Sequence, residues 1–206
     1  MMKKITIALL ALLPMAAMAQ DNIWEQPESE DVVEVQQKTN PDQKYLRGAV
    51  PEVDGKIVFS TTIDAPGKKA GEIYAIVQRY MARMMKEKNQ ISNQFIMQDS
   101  IGHVLQAAYE EWLVFKSTAI VLDRTRMTYA LEARCSEGKA VITLSHIRYL
   151  YEEERDPQRI TAEEWISDKE AVNKKNTRLY PQSGKFRRKT IDRKDFLFNK
   201  IASLLK

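Results

Sequence analysis

Cysteine is almost absent from this 206-residue chain: Cys135 stands alone. A single thiol cannot close an intrachain disulfide, so the fold must rest on its core rather than on covalent staples. Histidine is nearly as scarce. His103 and His146 lie 43 positions apart and lack metal-ligand spacing. Also missing are a glycine-rich phosphate loop, a His-Glu zinc motif and a Ser or Cys nucleophile signature. Adjacent carboxylates such as Glu110 and Glu111 do not fill the gap. Neighbours on a strand point to opposite faces, whereas a glycosidase pair must converge on one cleft, so they read as solvated charges. These absences argue against an enzyme. No catalytic, cofactor or metal-binding residue is assigned.

Long apolar runs are missing too, except at the start. The chain opens MMKKITIALLALLPMAAMAQ, with Lys3 and Lys4 ahead of an apolar run over residues 5–13 and the small-residue pattern Ala17-Met18-Ala19. That is the pattern of a secretory signal peptide cleaved between Ala19 and Gln20. The run is too short to span about 30 Å of hydrocarbon, which takes about 20 residues. The expectation is export to the periplasm or beyond. Losing Lys3 and Lys4 lowers the net charge from +4 to +2, which gives no support to a nucleic-acid partner. Residues 20–50 read as a flexible N-terminal arm, acidic at first, with Trp24 and Val32-Val33-Val35 as the apolar exceptions. Residues 51–206 form a single domain.

Within that domain, Ile57, Phe59, Thr61 and Ile63 recur at period two and predict a strand. Ile73, Val77, Tyr80, Met81 and Met84 recur at three and four and predict a helix whose methionines fill the core. NQFIMQDSIGHVLQAAY reads as strand, turn and strand, with Asp99-Ser100-Ile101-Gly102 turning the chain. The second strand runs on to Phe115, and the register of residues 116–125 is open. At the C-terminus, Thr190 or Asp192 caps a helix striped by Leu197, Ile201, Leu204 and Leu205. The order is strand, helix, four strands, helix. It predicts an α+β fold with an antiparallel sheet of about five strands and the helices on one face.

The stretch EARCSEGKAVITLSH sorts its residues only if Glu137-Gly138 is the centre of a tight hairpin. Cys135 then faces Ala140, Ala133 faces Ile142, Leu131 faces Leu144 and Tyr129 faces His146, all on one apolar face. The other face is polar, and a one-residue slip would scramble both. Cys135 is thereby a small buried hydrophobe rather than a nucleophile. His146 reads as packed and hydrogen-bonded beside Tyr129, for want of catalytic partners. Ile147, Tyr149 and Tyr151 then fall on the opposite parity to Leu144. Either a bulge flips the strand near His146, or a second face is covered there. In the second case Tyr149 and Tyr151 mark a sheet face for a ligand or partner.

A charged insertion spans residues 152–189. Residues 152–170 carry eight acidic and three basic side chains, and residues 174–194 nine basic and one acidic. One reading makes Lys185, Arg187, Arg188 and Lys189 a contact for an anionic envelope surface. The other pairs the basic block with the acidic one, and the interrupting Trp165, Leu179, Tyr180 and Phe186 favour a segment folded onto the domain.

The stretches DAPGKKAGEIYAIVQRYM, QDSIGHV, CSEGKAVITLSHI and GKFRRKTIDRKDFLFNKI together resemble an exported domain family of unknown function with a TBP-like fold, found in Bacteroides-type bacteria. The likeness covers residues 53–205. Cys135, Gly138 and Lys139 match that family's hairpin, while Ser136 and Glu137 replace its Lys-Asp and Ala140 replaces an aromatic. The tryptophan often found near Tyr80 or Met81 is absent. The resemblance implies the fold and carries over no active residue; TBP-like describes a shape, not DNA binding. The expected function is a non-catalytic binding module in the envelope, with an envelope protein or ligand as partner. The alternatives are a structural accessory subunit of an envelope assembly and an uncharacterised hydrolase.

Overall fold

The computed structural model describes residues 40–206. The leader and the first part of the arm lie outside the described residues. The elements run β1 (Glu52–Val53), β2 (Lys56–Ile57), β3 (Phe59–Asp64), α1 (Ala70–Met84), β4 (Gln90–Asp99), β5 (Val104–Ser117), β6 (Leu122–Ser136), β7 (Lys139–Tyr151), β8 (Gln158–Thr161), α2 (Ala162–Trp165), α3 (Asp168–Ala171) and α4 (Pro181–Leu205). The main sheet is antiparallel in the order β3-β7-β6-β5-β4, and β8 pairs with the far end of β7. Helices α1 and α4 cover one face, so the α+β architecture read from periodicity is the architecture observed.

Local chemistry explains three of these boundaries. The Lys69 backbone N–H donates to Glu72 Oε2 at 2.9 Å and caps α1. Asp99 Oδ1 accepts from the backbone N–H of Ile101 and Gly102, closing the β4–β5 turn. These bonds hold the Asp99 carboxyl below its ordinary range. Gly138 takes a φ of +73° at the β6–β7 turn, where a side chain would be strained. The hairpin register is the one the sequence sorting requires, from Ser136 opposite Lys139 to Ala130 opposite Ser145. The ladder then shifts between Thr128 and Ala130, so the bulge reading accounts for the parity change.

The core lies between sheet and helices. Ile73, Met81 and Met84 of α1 meet Leu105, Leu131, Ala133 and Ile142 of the sheet, all fully buried. Each large side chain among them stabilises by about 1.5–3 kcal/mol through area removed from water. Cys135 is buried at the hairpin end, and burial pushes its thiol up to about 11. A thiol reagent is therefore expected to label native Cys135 far more slowly than the unfolded chain, and Cys135→Ala to cost roughly 1 kcal/mol. Rapid native labelling, followed by mass, would contradict this placement.

Two boundaries differ from the sequence reading. The C-terminal helix starts at Pro181, not at Thr190 or Asp192. Proline at the first helical position suits a helix start, and Gly184 lies where an added Cβ would sit 2.7 Å from Leu179 Cβ. The basic half of the charged insertion is therefore helix from Pro181 onward, and Leu204 falls off the buried stripe. The other difference is at the arm. Residues 40–50, assigned to it by composition, are folded onto the domain, with Leu46 and Val50 buried and a 3-10 turn at Gln43–Tyr45. Asp42 accepts from the Leu179 backbone N–H, and the Tyr45 hydroxyl donates to Asp192.

Candidate functional site

The residues nominated from the charged insertion serve the fold's interior. Arg187 is fully buried in α4. Its guanidinium donates to the carbonyls of Tyr45, Leu46 and Ile166 and to Asp168 Oδ1, all at 2.6–2.7 Å. Burial pulls its pKa down from the ordinary value, and Asp168 works against that shift. An anionic surface cannot reach it, which corrects that assignment. Arg188 bonds Asp42 at 2.6 Å. Lys185 bonds Asp123 at 2.7 Å and the Tyr151 hydroxyl at 2.9 Å, and stands 4.7 Å from the Phe115 ring centre. Lys189 is half-buried on the same helix. The acidic partners are in part those expected, as with Asp168, and in part residues from other elements, as with Asp42 and Asp123.

Tyr149 and Tyr151 are likewise committed. The Tyr149 hydroxyl shares a 2.7 Å hydrogen bond with Thr190 of α4, and Phe186 packs against both tyrosine rings within 5.3 Å. The bulge turns these tyrosines onto the helix-covered face, so they are not a free sheet surface.

A second internal cluster was not foreseen. Glu111 lies on the apolar parity of β5, between Tyr109 and Leu113, and is fully buried. Its oxygens accept from Arg193 Nε and Nη2 at 2.7 Å, from Asn89 Nδ2 at 3.1 Å and from Gln90 Nε2 at 2.6 Å. Glu87 approaches Arg193 at 3.5 Å, and burial raises the Glu87 carboxyl above its ordinary range. Glu110 faces the other way and pairs with Arg126, as alternation requires. Glu111 is thus a buried ion-pair partner rather than a solvated charge.

What remains open is the other face of the sheet, where the bulge sits. Ser92, Gln94, Gln106, Ala108, Thr128 and Ala130 line a shallow trough of about 470 Å³, which His146 and Arg148 of β7 also line. Around the β7 edge, a crevice of about 340 Å³ runs from Lys56 and Val58 to Thr161 and Glu163, lined again by His146 and Arg148. The crevice exists because the edge ladder is interrupted. β3 pairs with β7 as far as Leu144, and β8 pairs from Arg148 onward. His146 lies in this interval, exposed rather than packed beside Tyr129, with Nδ1 2.9 Å from Ser145 Oγ. The bulge is the reason: it takes His146 off the apolar stripe with φ +56°. His103 is elsewhere, edge-on to Tyr74 at the β4–β5 turn. Among the described residues no three His, Cys, Asp or Glu side chains are grouped to hold a metal. No helix among them is long and apolar enough to cross a membrane.

The comparisons with known proteins agree with this architecture. The model of a domain of unknown function with TBP-like fold (DUF4468) matches residues 59–150. A crystal structure of a DUF4468 family protein from Bacteroides ovatus is 38% identical, covers 81% of this chain and 96% of that one, and superposes with a TM-score of 0.74. A TBP-like protein from Parabacteroides distasonis, 15% identical, covers 76% of this chain and 96% of its own with a TM-score of 0.62, and shares the fold. No curated protein matches. The fold and these relatives define a TBP-like α+β domain. The chain belongs to the DUF4468 family.

Proposed function

We propose that this chain is an exported, non-catalytic binding module that takes its ligand on the open sheet face, around the β7 bulge. The observation that carries the reading is the meeting of trough and crevice at His146 and Arg148, where the main chain turns left-handed inside a strand. Preformed concavities with a few polar groups are the usual form of ligand sites. Strained backbone within a regular element is more common at functional sites than elsewhere. Export rests on Lys3-Lys4, the apolar run and Ala17-Met18-Ala19.

Two measurements test the reading. The N-terminus of protein recovered from the envelope or medium is expected at Gln20 or within a residue or two, and retention of Met1 there would end the export claim. The mature protein is expected to melt at a higher temperature with one or more small-molecule fractions of the envelope. Ala108→Trp, which sets an indole in the trough, should abolish that rise. A wild-type response from the variant, or no response to any fraction, would sink the binding site. A second reading, an accessory subunit docking by protein contact, is favoured by one observation. The β5–β6 hairpin tip exposes Ile120 at 95%, with Val121 and Leu122 beside it. In that case Ile120→Asp, and not Ala108→Trp, would release the protein from its assembly.

A further inference from the structure

The charges around the two concavities are not balanced. Glu110, on the trough side, is held by Arg126, with Nη2 at 2.6 Å and Nε at 2.8 Å. Glu163, on the crevice side, accepts the Ile57 backbone N–H at 2.9 Å. The Arg148 side chain lines both spaces, is exposed, and has no hydrogen bond or ion pair among the described residues. Lys56 lines the crevice and is exposed, with the Glu164 carboxylate near enough to feel its charge. His146 uses Nδ1 on Ser145, which leaves Nε2 as its other polar atom. The backbone conformation at this point is unusual within the molecule. Among the described residues five non-glycine residues have positive φ: Asp54, His103, Glu152 and Asn176 lie in turns or bends, and of these five His146 alone lies within a strand.

Resting on the binding reading above, we propose that the ligand presents an oxyanion group, a carboxylate or a phosphate, to Arg148 and Lys56 at the β7 bulge. The rest of the ligand lies along the trough. A guanidinium offers a planar fork of donors that matches both groups bidentately, and an ammonium adds a point charge. The uncharged Gln94, Gln106 and Thr128 of the trough suit a neutral polar remainder through hydrogen bonds, not charge. The bulge takes His146 and Ile147 out of the ladder where β3 has ended and β8 has not begun, and Arg148, the first residue paired with β8, borders that gap.

The test is a titration of the isotope-labelled mature protein with sodium acetate and, separately, with inorganic phosphate, at constant ionic strength set by chloride. Backbone amide signals of residues 56–58 and 145–148 are expected to shift and saturate, with a dissociation constant in the millimolar range for so small a probe. The probe that saturates at lower concentration distinguishes carboxylate from phosphate. Arg148→Gln should weaken binding about tenfold, the equivalent of about 1.4 kcal/mol. Arg134→Gln, on the same face but bonded to Glu132, should leave it unchanged. Arg148 is exposed, so signals elsewhere in the Arg148→Gln spectrum should stay in place and report an intact fold. The proposal is overturned if neither anion gives saturable shifts at these positions, or if Arg148→Gln binds as well as wild type. If an envelope fraction still acts through the trough in that case, the binding module stands and its ligand is not anionic.

Discussion

Exchanging Arg193 for methionine is expected to destabilise the domain by about 3–5 kcal/mol, the usual cost of removing one partner of a buried ion pair. Both members are at 0% side-chain exposure, so water does not soften the loss. Methionine fills much of the space but offers no donor to Glu111, which keeps only the amides of Asn89 and Gln90. A whole domain is stable by about 5–15 kcal/mol, so the variant stands near the edge of folding. The melting temperature should fall by roughly 6–20 °C at this chain length. Arg193→Met with Glu111→Leu should recover a large part of the loss, because replacing both charges by apolar groups removes the unpaired carboxylate. A single variant melting within a degree or two of wild type would show that the cluster is not the tie between α4, β5 and the α1–β4 turn.

The same cluster shows where sequence reading stopped. Alternation along β5 separates Glu110 from Glu111 correctly and even places Glu111 in line with Leu105, Ala107, Tyr109 and Leu113. An acid on an apolar stripe was the signal, and read as a solvated charge it was lost. Its partner is 82 positions away in a helix, and no local pattern links them. The hairpin was legible because register there is fixed by neighbours in sequence, and the sorting of its side chains into an apolar and a polar face leaves one answer. The same sorting breaks at His146, where the sequence leaves a bulge and a second covered face as alternatives and the ladder shift decides for the bulge. It does not locate Arg148 and Lys56 at one place, because that depends on where β3 ends and β8 begins on a shared edge. The start of α4 was hidden for another reason. Residues 182–189 are too polar to show a stripe, and their helix is held by Arg187 and Phe186 packing inward, a use of arginine that periodicity of apolar residues does not register.

Arg187→Met should bring a loss of similar size with a different local signature. The arginine joins three segments: the 3-10 turn at residues 43–45 with Leu46, the α2–α3 link at Ile166 and Asp168, and α4 itself. Its removal leaves three carbonyls and one carboxylate without these donors. Each unmet buried carbonyl costs about 1–3 kcal/mol unless water enters. Part of the site will hydrate, because Asp168 is 37% exposed. We expect about 3–5 kcal/mol in all, as for other buried charges stripped of their partner or removed from it. The segment 40–50 should loosen first, since apart from Leu46 and Val50 its other ties lie nearer the surface: Asn40 to Thr177, Asp42 to Leu179 and Arg188, Lys44 and Tyr45 to Asp192, and the Arg47 and Gly48 N–H to Asn176 and Asp168. Amide exchange should therefore rise at Leu46 and Ala49 well before it rises in β6. Asp168→Asn should be milder, because the three carbonyl bonds survive. The result also fixes how the membrane reading must be tested. Changing Arg187, Arg188 and Lys189 together to Gln would lower vesicle binding by unfolding the protein, whatever the surface does. Only Arg188 and Lys189 can be changed for that purpose, with the melting temperature checked alongside. An Arg187→Met protein with unchanged melting temperature and unchanged exchange at residues 40–50 would remove the internal role assigned to this side chain and return it to the surface.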